Sequence, residues 1–208
     1  MSFSDLTFLF YFLPLFFAVY YLVPFRCKNA VLVLGSAAFY LLGAGTRDAL
    51  LLGASVLFHY VLARAMDGKA VRARRALLLF GLCTDLFGLV YFKYAAFLLE
   101  NLGKLTGQTF SLVHLALPLG VSFYLFQSAG YLIDVYRGAR AERNLVDFSA
   151  FVLAFPQLTM GPILRYDEWR GALKERMIAR GDVLLGFECF AVGLCFKVLL
   201  ADQLAPLW

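Results

Sequence analysis

Charge is scarce in this sequence: Asp, Glu, Lys and Arg make up 16% of its 208 residues, where a soluble domain carries about 25%. Together with 62% hydrophobic residues, that scarcity excludes intrinsic disorder, which needs low hydrophobicity and high net charge. Cysteine is sparse as well. Cys27, Cys83, Cys189 and Cys195 form no CxxC pair, which excludes a disulfide scaffold and leaves isolated buried or interfacial thiols as the expectation. The only histidines are His59 and His114, and neither has Glu, Asp or Cys at metal-ligand spacing, so no metal site is expected. No GxSxG, P-loop or dinucleotide fingerprint occurs, and no bound cofactor is expected.

What is abundant is apolar side chain, including 22 Phe and 11 Tyr. A domain of about 150 residues buries only about 70% of its unfolded surface, so a soluble core of this size cannot hide so much apolar area, and the chain is read as a membrane protein. The aromatics are expected at the interfaces and on the lipid-facing surface. The formal charge of +5 is not a nucleic-acid signature, because the 19 Lys and Arg lie mostly in short loops between apolar runs, where topology determinants belong.

The apolar segments are about 6–23, 30–45, 49–63, 76–99, 115–135, 148–164 and 183–200, one membrane domain over 1–208. The first, Leu6 to Val23, is uncharged and about 27 Å long at helical rise, close to the bilayer core; with only Asp5 before it and no small-residue cleavage site, it is expected to be a retained span. Segments 30–45 and 49–63 suggest a tight hairpin, with Gly35, Ser36, Ala37, Ala38, Gly53, Ala54 and Ser55 allowing close approach. Alternate loops differ in basic content. Arg26 and Lys28, then Arg64, Lys69, Arg72, Arg74 and Arg75, then Arg137, Arg140 and Arg143 fall in odd loops, against Arg47 and Lys104 in even ones. The positive-inside rule therefore places the odd loops in the cytoplasm and the N-terminus outside. Segment 148–164 is broken by Pro156 and Gly161-Pro162 and is followed by further basic residues, which suggests an element entering and leaving on one side. Interrupted backbone at membrane depth is tolerated only within protein or beside a watery cavity.

Asp85, Lys93, Asp134, Glu188 and Lys197 lie in or at the edges of apolar runs, where a central charge costs on the order of 3 kcal/mol. Snorkelling accounts for Lys93 and Lys197, and interior pairing for Asp85 and Glu188, with a proton or substrate role as the alternative. His59 is read as a satisfied packing histidine. On a helix, Tyr124, Gln127, Tyr131 and Asp134 fall three or four apart and share a face; such a stripe meets protein or water, either as interhelical hydrogen bonding alone or as part of a site.

That stripe lies in LPLGVSFYLFQ…YLIDVYRG, which together with FPQLTMGPILRY at 155–166 resembles the paired motif of the membrane-bound O-acyltransferase family, most closely its bacterial branch that acylates cell-envelope polymers. LPLFFAVYYLVP, Phe92-Lys93-Tyr94 and GLCFKVLLAD agree in order, while Thr159-Met160 departs from the small residues that often precede Gly-Pro. The resemblance implies an all-α multipass transmembrane bundle with a broken or re-entrant segment, the N-terminal part of that fold. It implies transfer of an acyl group, chiefly acetyl, across or within the bacterial inner membrane to an exopolysaccharide such as alginate. D-alanyl or other acyl transfer to an envelope polymer is the alternative. The implied donor is acetyl-CoA or another acyl thioester, and the implied partners are the lipid bilayer, a C-terminal half, a periplasmic acetyltransferase and the polysaccharide acceptor. The family's catalytic histidine, in a late span, is expected beyond Trp208, so no catalytic residue is assigned. The residues implied to shape the substrate tunnel are Ser122, Tyr124, Gln127, Tyr131, Asp134, Pro156, Gln157, Gly161, Pro162 and Arg165. A transporter lined by Asp85, Asp134 and Glu188, or a non-catalytic scaffold, is the competing reading.

Overall fold

A computed structural model describes residues 3, 5–106, 117–158, 161–174, 176 and 180–204; His114 and Thr159-Met160 lie outside them. Among the described residues every regular element is helical, as expected where lipid offers a backbone no hydrogen-bond partner but its own. A π turn at Phe8–Phe12 leads into α1 (Leu13–Leu22), followed by α2 (Lys28–Ala44) and α3 (Thr46–Met66). Next come α4 (Val71–Leu89), a second π turn (Val90–Tyr94) and α5 (Ala95–Thr106), then α6 (Val121–Arg137) and α7 (Leu145–Leu153). The short α8 (Phe155–Leu158), α9 (Tyr166–Lys174), α10 (Arg180–Cys195), a π turn (Phe196–Ala201) and α11 (Asp202–Leu204) complete the order. Four helices, Phe25–Ala44, Thr46–Met66, Val71–Tyr94 and Gly181–Leu204, are long and apolar enough to cross a bilayer. The protein is an all-α multipass bundle.

Several boundaries differ from the apolar runs. α3 takes in Arg47, Asp48 and Arg64 beyond the 49–63 segment, because charged residues at helix ends still make intrahelical bonds and reach polar surroundings. Helix continues beyond the 76–99 apolar segment through Thr106. The two glycines singled out in the 30–63 hairpin are not its seam. Gly35 faces α1, where an added Cβ would meet the Phe16 ring at 2.5 Å, and Gly53 has open space around it. All four cysteines are exposed single thiols, on outer helix faces rather than in the core.

Two buried clusters hold the bundle. The larger joins α2, α3, α4, α6 and α7 through residues such as Tyr40, Leu62, Met66, Leu132, Phe148 and Phe151. The smaller is aromatic: the rings of Phe3, Phe8, Phe12, Phe16 and Phe39 surround Phe155 with centroids 5.2–6.5 Å away. These phenylalanines face protein, because the broken segment brings Phe155 against the N-terminal helix, while rings such as Phe10, Tyr11, Phe80 and Phe87 stay exposed on the outer surface.

Hydrogen bonds sort the loops by end. Tyr60 Oη donates to the Arg143 carbonyl (2.7 Å), joining α3 to the α6–α7 loop, and Arg74 donates to the Val135 carbonyl at the end of α6. Asn29 Nδ2 donates to Asp147 (2.7 Å), joining the start of α2 to the start of α7. The three basic loops therefore share one end of the bundle. At the other end, beside Arg47, Tyr40 Oη donates to the Leu119 carbonyl (2.6 Å) and the Leu119 N–H to Asp48 (3.3 Å).

Candidate functional site

Residues 145–166 form a limb that leaves the basic end and returns to it. It starts where Asp147 meets Asn29, and Asn144 caps α7 by accepting from the Val146 N–H (2.9 Å). α7 ends at Ala154, and the Phe155 N–H donates to Ser36 Oγ (3.1 Å), two turns or about 10 Å along α2 from Asn29. Pro156 opens α8, where its missing N–H is harmless. After α8 the chain doubles back at Gly161, which is held so close that an added Cβ would lie 2.3 Å from the Gln157 backbone. Pro162 follows, and the helix cannot resume.

The return strand of the limb is fastened to α6. Gln127 Oε1 accepts from the Leu164 N–H (3.1 Å), Arg165 donates to Asp134 (2.9 Å), and Tyr131 Oη accepts from the Glu142 N–H (2.7 Å). The shared face of Gln127, Tyr131 and Asp134 is thus a seam, every member buried against the segment 142–165. α6 ends at Gly138, whose φ of +116° admits glycine readily, and the Gly138 and Ala139 N–H groups close onto Val135 and Asp134.

Between limb and α6 lies a small open cleft with free room of about 10 Å³, enough for about one water, walled by Phe123, Tyr124, Phe151, Val152, Leu158 and Ile163 and by Gln127, Gln157, Gly161 and Pro162. Two buried polar atoms of these walls have no hydrogen-bond partner among the described residues: the donor Gln127 Nε2 and the acceptor Gln157 Oε1. The cleft presents polar and apolar surface in about equal parts, and the two unmatched atoms are buried in its walls.

Of the ten residues singled out from sequence, Tyr124, Gln127, Gln157, Gly161 and Pro162 line this cleft. Tyr131, Asp134 and Arg165 lie toward the basic end, in the fastening of the limb. Ser122, half-buried on α6, and the exposed Pro156 stand outside the cleft lining.

Sequence reasoning missed Glu142. It sits in the α6–α7 loop, buried, and accepts from Tyr166 Oη (2.6 Å), Lys174 Nζ (2.8 Å) and the Arg143 and Asn144 N–H groups (2.9 and 3.1 Å). Burial alone would raise its carboxyl, but the bonds from Lys174, Tyr166 and the backbone outweigh it and hold the group down at about 2. Desolvation and the same carboxylate push the Tyr166 phenol up. The available signal was a lone acid between Arg140 and Arg143.

The charged residues of the apolar runs have different fates. Asp85 pairs inside the bundle with His59 (3.0 Å). Lys93 lies over the Tyr94 ring, and Lys197 pairs with Asp202. Glu188 is exposed on α10, where interior pairing was expected, because α10 does not pack into the bundle among the described residues. Asp85, Asp134 and Glu188 thus sit in three separate settings and define no common path. Among the described residues no three metal-ligating side chains gather.

No family model matches the sequence, and no solved structure matches it. Curated relatives do. The chain is 42% identical over its whole length to a probable alginate O-acetylase AlgI of Azotobacter vinelandii, covering 43% of that protein, and 42% identical to the Pseudomonas aeruginosa protein of the same name, covering 41%. A peptidoglycan O-acetyltransferase of Helicobacter pylori is 30% identical over 99% of the chain, which covers 45% of it. The chain thus spans less than half the length of the curated relatives it matches.

Proposed function

From the premise that the chain is homologous over its whole length to bacterial alginate O-acetylases of the membrane-bound O-acyltransferase family, we propose that the intact protein O-acetylates an extracellular polysaccharide, alginate or one like it. The single observation that carries the proposal is this end-to-end match at 42% identity. In this reading the protein lies in the bacterial inner membrane with its N-terminus outside, the basic end is cytoplasmic, and the limb 145–166 is re-entrant.

Acyl transfer from a thioester to a hydroxyl forms one ester bond, breaks one thioester bond and moves the hydroxyl proton to the departing thiolate. It needs a base within hydrogen-bond reach of the acceptor and an acyl carbonyl held in line. The donor, acetyl-CoA or another acyl thioester, approaches the basic end, where exposed arginines favour an anion. Gln127 Nε2 is the buried donor suited to the acyl carbonyl, and Gln157 Oε1 accepts from a neighbouring polar group. The acetyl group then leaves outward, to a periplasmic acetyltransferase and the polymer. The catalytic base is supplied by sequence outside these 208 residues.

The test is complementation. The intact gene, expressed in an alginate producer lacking its own O-acetylase, should restore acetyl esters to the secreted polymer, measured by proton NMR, and Gln127→Ala should reduce them. Polymer that stays unacetylated despite normal membrane levels of the protein would refute the proposal, and D-alanyl esters in place of acetyl would redirect it.

A further inference from the structure

At the basic end, α4 opens with no acid in its first turn and no side-chain cap. Arg72, Arg74 and Arg75 stand instead at its positive pole, where the helix dipole favours anions. Arg74 is half-buried and donates to the Val135 carbonyl, which sets the start of α4 beside the end of α6. Arg72 and Arg75 are exposed, as are Arg137 and Arg140 just beyond that carbonyl. The carboxylates of this end are engaged elsewhere: Asp67 pairs with Arg64, Asp134 with Arg165 and Glu142 with Lys174. Among the described residues no carboxylate pairs with Arg72, Arg75, Arg137 or Arg140.

The two outward arginines head an apolar stripe. At about 100° per residue, Arg72, Arg75, Ala76, Leu79, Cys83 and Leu86 share one face of α4, and all six are exposed, Leu79 by 51% and Leu86 by 62%. The buried residues of the helix, Leu78, Gly81 and Asp85, lie on the other side, against the bundle. From Arg72 to Leu86 the face runs about 21 Å along the axis. Cations at the head of an exposed face and apolar surface along the rest of it match, in order, a molecule with an anionic head and hydrocarbon tails. A soluble anion answers the arginines alone; a phospholipid answers both features.

We propose that this outer face of α4 is a binding site for an anionic glycerophospholipid of the leaflet at the basic end, with the phosphate against Arg72 and Arg75 and the acyl chains along Leu79, Cys83 and Leu86. Arg137 and Arg140 add positive potential from the end of α6. Topology needs only an excess of basic residues, which charge anywhere in the loop supplies. The site needs these two arginines on this face, and it stands whatever group the cleft handles.

Photo-crosslinking of the intact protein in phosphatidylcholine vesicles tests it. The vesicles carry a trace of either phosphatidylglycerol or phosphatidylcholine with a photoactivatable acyl chain, and labelled peptides are mapped by mass spectrometry. Phosphatidylglycerol should label peptides covering 76–89 roughly tenfold more than phosphatidylcholine does. Arg72→Gln with Arg75→Gln should bring the two lipids within about twofold of each other, while Arg26→Gln with Lys28→Gln, which removes the same charge from the same end, should leave the preference intact. Equal labelling of 76–89 by the two lipids in the wild type overturns the site, and that result is read without any variant. Equal losses in the two double variants overturn it as well, in favour of diffuse attraction. Excess glycerol phosphate that abolishes the preference overturns the lipid as occupant and assigns the arginines to a soluble anion.

Discussion

Glu142→Gln isolates the charge that ties α9 to the bundle. The substitution keeps shape, and one amide oxygen can still accept from the Arg143 and Asn144 N–H groups. The amide nitrogen then replaces Oε2, which now accepts from Tyr166 at 2.6 Å and Lys174 at 2.8 Å, and sets one donor against another beside a buried phenol. A carboxyl held at about 2 in place of an ordinary 4.5 corresponds to at most about 3 kcal/mol, and to about 2 kcal/mol after screening at the half-exposed Lys174. The sign follows from the depressed value. The contribution is complete above about pH 4.5 and fades as pH falls toward 2, so the wild type loses stability on acidification through that window and the variant loses less. The assay is amide hydrogen exchange of peptides covering 166–174 in the intact, detergent-solubilised protein. At neutral pH the variant should exchange there roughly thirtyfold faster, the equivalent of about 2 kcal/mol, with α3 and α4 unchanged. Unchanged exchange across 166–174 would refute the assignment of Glu142 as the clamp.

Four further outcomes are expected. Ser36→Ala leaves the Phe155 N–H buried without its acceptor and should cost about 1–3 kcal/mol, read as a lower thermal midpoint and faster exchange at 155–158; an unaltered midpoint and exchange would mean that another group takes the bond. Gly81→Ala puts a Cβ 2.6 Å from Leu62 Cδ2 and 2.7 Å from Leu132 Cδ1 and should lower the midpoint, an overpacking cost of about 1–3 kcal/mol outweighing helix propensity. Gly53→Ala, with open space around it, should raise the midpoint by the equivalent of up to about 1 kcal/mol, so equal effects at the two sites would contradict the packing. Finally, in a variant with all four cysteines replaced by serine, Arg72→Cys and Glu168→Cys should react only with a membrane-permeant thiol reagent and Arg47→Cys with an impermeant one. Impermeant labelling at 168 would contradict the topology. Tyr166 is a poorer reporter, because it is buried on Glu142.

Helices were legible because periodicity and length act locally: Gln127, Tyr131 and Asp134 share a face wherever a helix forms through them. Their partners were not legible, since Leu164, Glu142 and Arg165 come from a loop and a broken segment that no periodic rule places. Gly35 illustrates the limit. A small residue in an apolar helix indicates that something approaches closely, without indicating whether it is the neighbouring helix or, as here, the Phe16 ring of α1. Glu142 was hidden for the complementary reason. Its neighbours in sequence are arginines, which suggested a solvated basic loop, while its partners Tyr166 and Lys174 lie 24 and 32 residues away.

The cleft depends on this long-range fastening more than on its own lining. The limb is pinned at its tip by Ser36, along its return by Gln127 and Asp134, and at its base by Glu142. Gln157 and Gly161 fall between the tip pin and the Gln127 pin, so a displacement at Ser36 reaches the cleft wall directly, whereas one at Glu142 must first pass the Arg165–Asp134 and Leu164–Gln127 bonds. Gln127 has both duties, since one side-chain oxygen holds the limb while the nitrogen on the same carbon is buried unmatched in the cleft wall. Replacing Gln127 with Glu preserves an acceptor for the Leu164 N–H and removes the donor, and so separates fastening from ligand recognition in a way that Gln127→Ala cannot.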